Sequence, residues 1–153
     1  MRARRAPRGR HYAAPMPVVL DEGRFPVVRA HFVGRITDDE LATYEERILA
    51  LLRRCDAEGV RFALITTGGN RLSPLSSKQR RSQAEFVSRH RSLAHRVVAG
   101  NAIIVTNPIH RGVIRSILWL VTPPYPLVVV ATEDEAEARC RSFLAERRDS
   151  VRP

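Results

Sequence analysis

The sequence has little cysteine, few aromatic residues and no long apolar run. Its two cysteines, Cys55 and Cys140, both fall on apolar faces of predicted helices, so we interpret them as small buried hydrophobic residues rather than as a disulfide or a reactive thiol. The most apolar helical run, Val113 to Val121, is far shorter than the roughly 20 residues that cross a bilayer. The N-terminal arginines are not followed by an apolar stretch, which argues against a secretory signal. These features predict a cytoplasmic protein without a transmembrane segment.

Lysine is almost missing too: Lys78 is the one lysine among 26 basic residues, and with 16 acidic residues the net charge is +10. The excess lies in residues 1–16, which carry five arginines and no acid, and in residues 78–96, which carry six basic residues and one acid. We interpret it as a solubilising tail and a solvated helix face, the latter including Arg81, Arg89 and Arg96. The alternative is attraction to nucleic acid or to an anionic membrane.

A chain of 153 residues suits one domain. Residues 1–16 mix arginine, proline, glycine and alanine with almost nothing to bury, so we predict a disordered basic tail. Residues 17–147 show no internal linker and form the predicted folded domain. Residues 148–153 are predicted to be a second disordered end.

Within the domain, apolar runs and turn residues predict alternating strands and helices. Thr37 with Glu40 and Ser76 with Gln79 form two capping boxes, each of which predicts a helix start. Asn107 followed by Pro108 predicts a third start. Successive strand–helix–strand units imply right-handed crossovers. The predicted fold class is therefore α/β, with a mixed, mainly parallel sheet of about five strands and helices packed on it, in the order β-β-α-β-α-β-α-β-α. The predicted strands cover residues 18–20, 25–33, 60–67, 102–106 and 127–131, and the predicted helices cover about 38–58, 77–97, 108–121 and the stretch from 133 onward.

This order resembles the STAS-like family, the relatives of the sulfate-transporter and anti-sigma-factor-antagonist domain. The resemblance covers residues 17–147 and is sharpest in Val-Gly-Arg-Ile-Thr-Asp-Asp-Glu at 33–40 and Arg-Gly-Val-Ile-Arg-Ser-Ile-Leu-Trp-Leu at 111–120, the latter run pointing to a bacterial branch. The resemblance implies a non-enzymatic domain used for protein contacts or sometimes for small ligands. The chain departs from anti-sigma-factor antagonists after the central strand. Residues 66–70 read Thr-Thr-Gly-Gly-Asn and lack the phosphorylated serine of the family's Asp-Ser-[Ser/Thr]-Gly motif, so a phosphorylation switch of that kind is not expected.

Polar residues follow two of the predicted strands where their carboxyl ends would meet. In an open α/β sheet this edge is where ligands bind. The free amides and the dipole at the start of the next helix favour an anion there. A small anion or amphiphile site is therefore one hypothesis, and ordinary turn and capping chemistry is the alternative. The candidate site residues are Thr66, Thr67, Asn70, Asn107, His110 and Arg111.

Catalytic signatures are absent from the sequence. The five histidines show no metal-ligand spacing with a cysteine or an acid. The chain has neither a Gly-x-Ser-x-Gly elbow nor a phosphate loop. The sequence therefore predicts no catalytic residue, no metal site and no cofactor, and it is interpreted as a non-enzyme.

The third predicted helix is apolar on nearly all sides, which exceeds what one sheet face needs to cover. Trp119 falls on the same face as Arg111 and Arg115, either packed under an arginine within the monomer or marking an interface, since tryptophan and arginine are enriched at contact hot spots. We favour a regulatory or protein-interaction module that forms a homodimer or binds another protein through this helix. A binder of a small anion or amphiphile near Asn107 is the alternative. A weak adaptor for nucleic acid or an anionic membrane, acting through the tail and the second helix, is a third.

Overall fold

The fold is built on one five-stranded sheet, seen in a computed structural model that describes residues 18–68, 75–120 and 122–149. The strands lie side by side in chain order. β1 and β2 are antiparallel, and the pairs β2–β3, β3–β4 and β4–β5 are parallel. The predicted mixed, mainly parallel α/β sheet is thus confirmed. The strands are β1 (Val18–Asp21), β2 (Val27–Phe32), β3 (Phe62–Thr67), β4 (Val98–Ile104) and β5 (Leu127–Val130).

Five helices connect and cover these strands. Where one helix was predicted across residues 77–97, the structure has two, which meet at His90 with the ring centroids of Phe86 and His90 4.8 Å apart. The last helix ends at Asp149, within the segment predicted to be a disordered end, whereas the predicted tail lies outside the described residues. The helices are α1 (Asp38–Glu58), α2 (Ser77–Arg89), α3 (Arg91–Val97), α4 (Pro108–Leu118) and α5 (Glu133–Asp149).

Both predicted capping boxes are formed. The Thr37 hydroxyl accepts the Glu40 amide while the Glu40 carboxylate accepts the Thr37 amide, and Ser76 and Gln79 repeat the arrangement. Gln79 is buried, and its side-chain amide also donates to the carbonyl of Ile36 at 2.7 Å. The start of α2 is therefore tied to the entry of α1, which fixes both helices on the same side of the sheet.

The sheet is covered on both faces, but unequally. Because the parallel strands follow one another in chain order, right-handed crossovers place α1, α2, α3 and α4 on one face. A core of α1 and α3 side chains packs there on Val28, Phe62 and Leu64. The opposite face is covered by α5, through Ala136, Cys140 and Phe143.

β4 differs most from its prediction. It begins at Val98, four residues earlier than expected, and ends at Ile104. Gly100 and Asn101 lie inside the strand although their composition is typical of a turn. Gly100 is needed because a side-chain carbon there would overlap the buried ring of Phe143 on α5. The glycine thus lets α5 approach the centre of the sheet.

Candidate functional site

The most unusual surface is one side of α4. None of its eleven residues, all of which the structure describes, is buried. Ile109, Val113 and Ile117 follow one another at four-residue spacing and are 74%, 40% and 52% exposed. Leu120, at 88%, extends the stripe just past the helix, beside Trp119 at 90%. These five residues are called the outward face of α4 below. All five side chains are in contact with solvent, and Ile109, Val113 and Ile117 lie on one side of the helix.

The two arginines of α4 turn away from that face and toward the sheet. Arg111 donates from Nη1 to the carbonyl oxygens of Val105 and Thr106, at 2.9 and 2.8 Å. Arg115 donates from Nη2 to the carbonyl oxygen of Val129 in β5, at 3.1 Å. Both guanidinium groups thereby anchor the helix to the strands beside it. The outward face is left without a charged side chain from these two positions.

Trp119 follows the last residue of α4, as the sequence places it. An exposure of 90% leaves almost none of the indole covered, so packing under an arginine within the monomer does not account for this residue. The inner side of the helix is formed by Ile114 and Leu118, which are half-buried. The helix therefore has an apolar inner side on the sheet and a second apolar side that the described residues leave open.

The residues predicted to bind an anion are not brought together. Thr66 and Thr67 are successive strand residues, so their side chains point to opposite faces of the sheet. The Thr66 hydroxyl donates to the side-chain oxygen of Asn101 at 3.0 Å. Thr67 is hydrogen-bonded to the ring of His31 on the α5 side. The two threonines serve two separate pairs, and Asn70 lies outside the described residues.

At the start of α4, the predicted anion donors also have partners. The Asn107 side chain accepts the amides of Ile109 and His110, at 2.9 and 3.3 Å. Those amides are the ones that an anion at a helix start would use. Together with the Arg111 bonds to Val105 and Thr106, this arrangement is capping chemistry, the alternative that the sequence left open.

The predicted basic surface is partly neutralised. Arg81, Arg89 and Arg96 are all exposed. Arg96 forms a two-pronged pair with Asp56 on α1, at 2.9 and 3.0 Å, and this pairing raises the arginine's pKa and lowers the pKa of Asp56. The pair joins α3 to α1, so Arg96 has a structural partner in addition to its place on the surface.

The thiols of Cys55 and Cys140, both buried inside the fold, are neutral rather than activated. Burial raises the pKa of the Cys140 thiol to about 11, and the thiol donates to the carbonyl of Leu64 at 3.3 Å. Burial likewise raises the pKa of Cys55, so both thiols are held in the protonated, unreactive form. Burial also raises the pKa of Tyr125, an effect partly offset by a hydrogen bond from Asn101. Among the described residues, no group of three or more His, Cys, Asp or Glu side chains could hold a metal ion.

None of the described helices is long and apolar enough to span a membrane. Comparison of the chain with family models, with curated proteins and with solved structures gives no match. The candidate site therefore stands on its own geometry, in which the outward face of α4 is the feature that the fold leaves unexplained.

Proposed function

We propose that this protein is a non-enzymatic interaction module that self-associates, two copies meeting through the outward face of α4. The observation that supports this is the exposure of five large apolar side chains on and just after α4, of which Ile109, Val113 and Ile117 form one stripe along the helix. Contiguous apolar surface of this kind is unusual on a monomer and marks an interaction site. The resemblance of residues 17–147 to STAS-like domains implies the same class of function.

A second copy is the proposed partner because the outward face is complementary to itself. Arg111 and Arg115 are directed to backbone carbonyls, so two such faces can meet without burying these charges. An eleven-residue helix is about 16 Å long, enough for one helix–helix crossing in a two-fold dimer. The sequence placed Arg111 and Arg115 on the same face as Trp119, and in the proposed dimer both arginines lie behind the interface, bonded to backbone carbonyls.

The proposed contact is made by the helix and not by the strand edge. β5 is the last strand of the sheet, and its Val130 carbonyl accepts the amide of Val105, the residue that follows β4. In an extended strand the Val129 carbonyl then points to the outer edge. Arg115 occupies that oxygen, which obstructs the pairing of another strand at this position.

Charge separates this proposal from a membrane or nucleic-acid adaptor. Each copy carries a net charge of +10, so two copies repel each other and salt should strengthen their association. Binding to an anionic membrane or to a nucleic acid weakens with salt instead, because counterions are released. A cytoplasmic location, where Cys55 and Cys140 stay reduced, belongs to the same proposal.

A matched pair of substitutions tests the interface. Val113 is 40% exposed on α4, and Val33 is 44% exposed after β2, on the far side of the sheet from β5. Val113→Glu and Trp119→Glu are expected to convert a dimer to a monomer in sedimentation velocity. Val33→Glu, which is the same substitution as Val113→Glu at a different place, is expected to leave the dimer intact.

Three results would contradict the proposal. The first is a wild-type chain that is monomeric at tens of micromolar, roughly the range of weak dimers. The second is dissociation caused equally by Val33→Glu. The third is unfolding of both α4 variants in thermal melts while Val33→Glu stays folded, since that would place the outward face in the core of the monomer.

A further inference from the structure

A groove lies between α3 and the proline-rich segment that leads into β5. Its volume is about 810 Å³, within the range of small-molecule sites. One wall consists of polar side chains of α3, and the other consists of residues 123–127, which include three prolines and Tyr125. The groove lies at the amino ends of β4 and β5, the opposite end of these strands from the predicted anion site. The residues of the α3 wall are Arg91, Ser92, His95 and Arg96.

The two walls are held together by hydrogen bonds. Arg91 donates from Nη1 to the carbonyl of Thr122 at 2.9 Å, and His95 donates from Nδ1 to the carbonyl of Pro124 at 2.8 Å. The backbone of the opposite wall is stiff, because each proline fixes its own φ angle. A groove with fixed walls loses less conformational entropy when a ligand binds.

The charge of the α3 wall is positive. Arg91 is exposed and carries five N–H donors in a planar fork that matches a carboxylate or a phosphate group. Arg96 is paired with Asp56, so Arg91 is the cation that this pair leaves uncompensated in the wall. Opposite it, Pro126 is exposed and Pro123 and Leu127 are half-buried, so these side chains offer an apolar surface to a ligand.

We propose that this groove binds a small organic anion whose charged group contacts Arg91 and whose apolar part lies against Pro123 and Pro126. The inference is independent of the self-association proposed above, since the groove and the outward face of α4 share no residue. It also differs from the anion site predicted at Asn107, where the amides are already capped.

Three probes separate the charge from the apolar part. Phenyl phosphate carries both, inorganic phosphate carries the charge alone, and phenol carries the ring alone. We expect saturable binding of phenyl phosphate near 1 mM, the affinity typical of so small a ligand, and weaker binding of the other two. In proton–nitrogen NMR spectra of the full chain, the shifted amides should cluster in residues 91–96 and 122–127.

A pair of serine substitutions supplies the control. Ser92→Glu places a carboxylate in the groove, where it repels an anionic ligand at Arg91, and should weaken phenyl phosphate binding about tenfold or more. Ser82→Glu changes the net charge equally on exposed α2, outside the groove, and should leave binding unchanged. Arg91→Gln is a second test should Ser92→Glu reduce the melting temperature.

The proposal is overturned by any of three results. One is the absence of saturation by about 10 mM phenyl phosphate, far above the expected affinity. Another is an equal loss of binding in Ser82→Glu, or shifts spread over all arginine-bearing surfaces, which would indicate non-specific charge attraction. The third is inorganic phosphate binding as tightly as phenyl phosphate, because the apolar proline wall would then contribute nothing to the affinity.

Discussion

α4 and α5 follow consecutive strands, yet the more apolar of the two is the less buried. α5 opens with three acids and carries charged residues through most of its length, but it packs Ala136, Cys140 and Phe143 fully onto the sheet. α4 has the stronger apolar character and buries no residue. The apolar content of a helix therefore does not measure how much of it the domain covers. What matters is whether the sheet beneath the helix has room for it.

Beneath α5 the sheet provides that room. There the strands present Ala63, Ala99, Gly100 and Ala102, all small and all buried. These small residues let α5 approach the sheet closely. The helix then fills the space above them with one large ring, that of Phe143. α4 instead lies at the β5 end of the sheet, where one side of the helix contacts the edge strand and the other side has no partner among residues 18–68, 75–120 and 122–149.

The largest expected difference between the two helices is the effect of truncating one large side chain in each. Phe143→Ala removes a buried ring and should reduce the free energy of unfolding by about 3–5 kcal/mol. Ile117→Ala removes a half-exposed side chain from α4 and should change it by about 0.5 kcal/mol or less in the monomer. Urea denaturation of the two variants, at concentrations low enough to avoid association, measures both. Equal losses would show that α4 belongs to the core after all.

Two glycines sharpen the same comparison. Gly100→Ala places a methyl group against the Phe143 ring and should destabilise the domain by about 1–3 kcal/mol. Gly112 lies in α4 with open space around it, so Gly112→Ala should stabilise the domain by about 0.5–1 kcal/mol through helix propensity. Thermal melts show whether each substitution raises or lowers the melting temperature. A destabilising Gly112→Ala would mean that something covers α4 at that point.

The smallest expected effect on stability concerns the ion pairs that join α5 to β2. Arg29 of β2 lies 2.5 Å from both Glu133 and Glu137, and its hydrogen bond holds the pKa of Glu137 below the ordinary 4.5. A lowered pKa contributes stability above pH 4.5 that is lost as the pH falls through the folded-state value. In Glu137→Gln the free energy of unfolding should therefore depend less on pH below pH 4.5. Glu46→Gln, at an exposed position of α1, controls for the loss of one carboxylate. An unchanged acid profile in Glu137→Gln would show that this pairing does not hold α5.

Local signals made most of the fold predictable. Each capping box involves residues three positions apart, so Thr37 and Ser76 marked the starts of α1 and α2 correctly. β4 was placed too late because Gly100 and Asn101 are explained only by contacts with Phe143 and Thr66, which are distant in the chain. Nothing in the residues around His90 distinguishes a break from a continuous helix.

The candidate sites divide in the same way. The outward face of α4 could be anticipated because a helix that is apolar on nearly all sides is visible in the sequence. The grouping of Thr66 with Thr67 could have been avoided, since strand residues alternate between faces. The groove beside α3 could not have been predicted, because it depends on hydrogen bonds from Arg91 and His95 to carbonyls about thirty residues away.

The most direct test of the account is the salt dependence of self-association. Sedimentation of the wild-type chain over a dilution series, at about 50 mM and about 500 mM sodium chloride, yields the dimer dissociation constant under weak and strong screening. If two copies carrying a net charge of +10 meet through the uncharged outward face of α4, the dissociation constant should fall as salt rises. A constant that rises with salt would contradict the account, as would a chain that stays monomeric in both conditions.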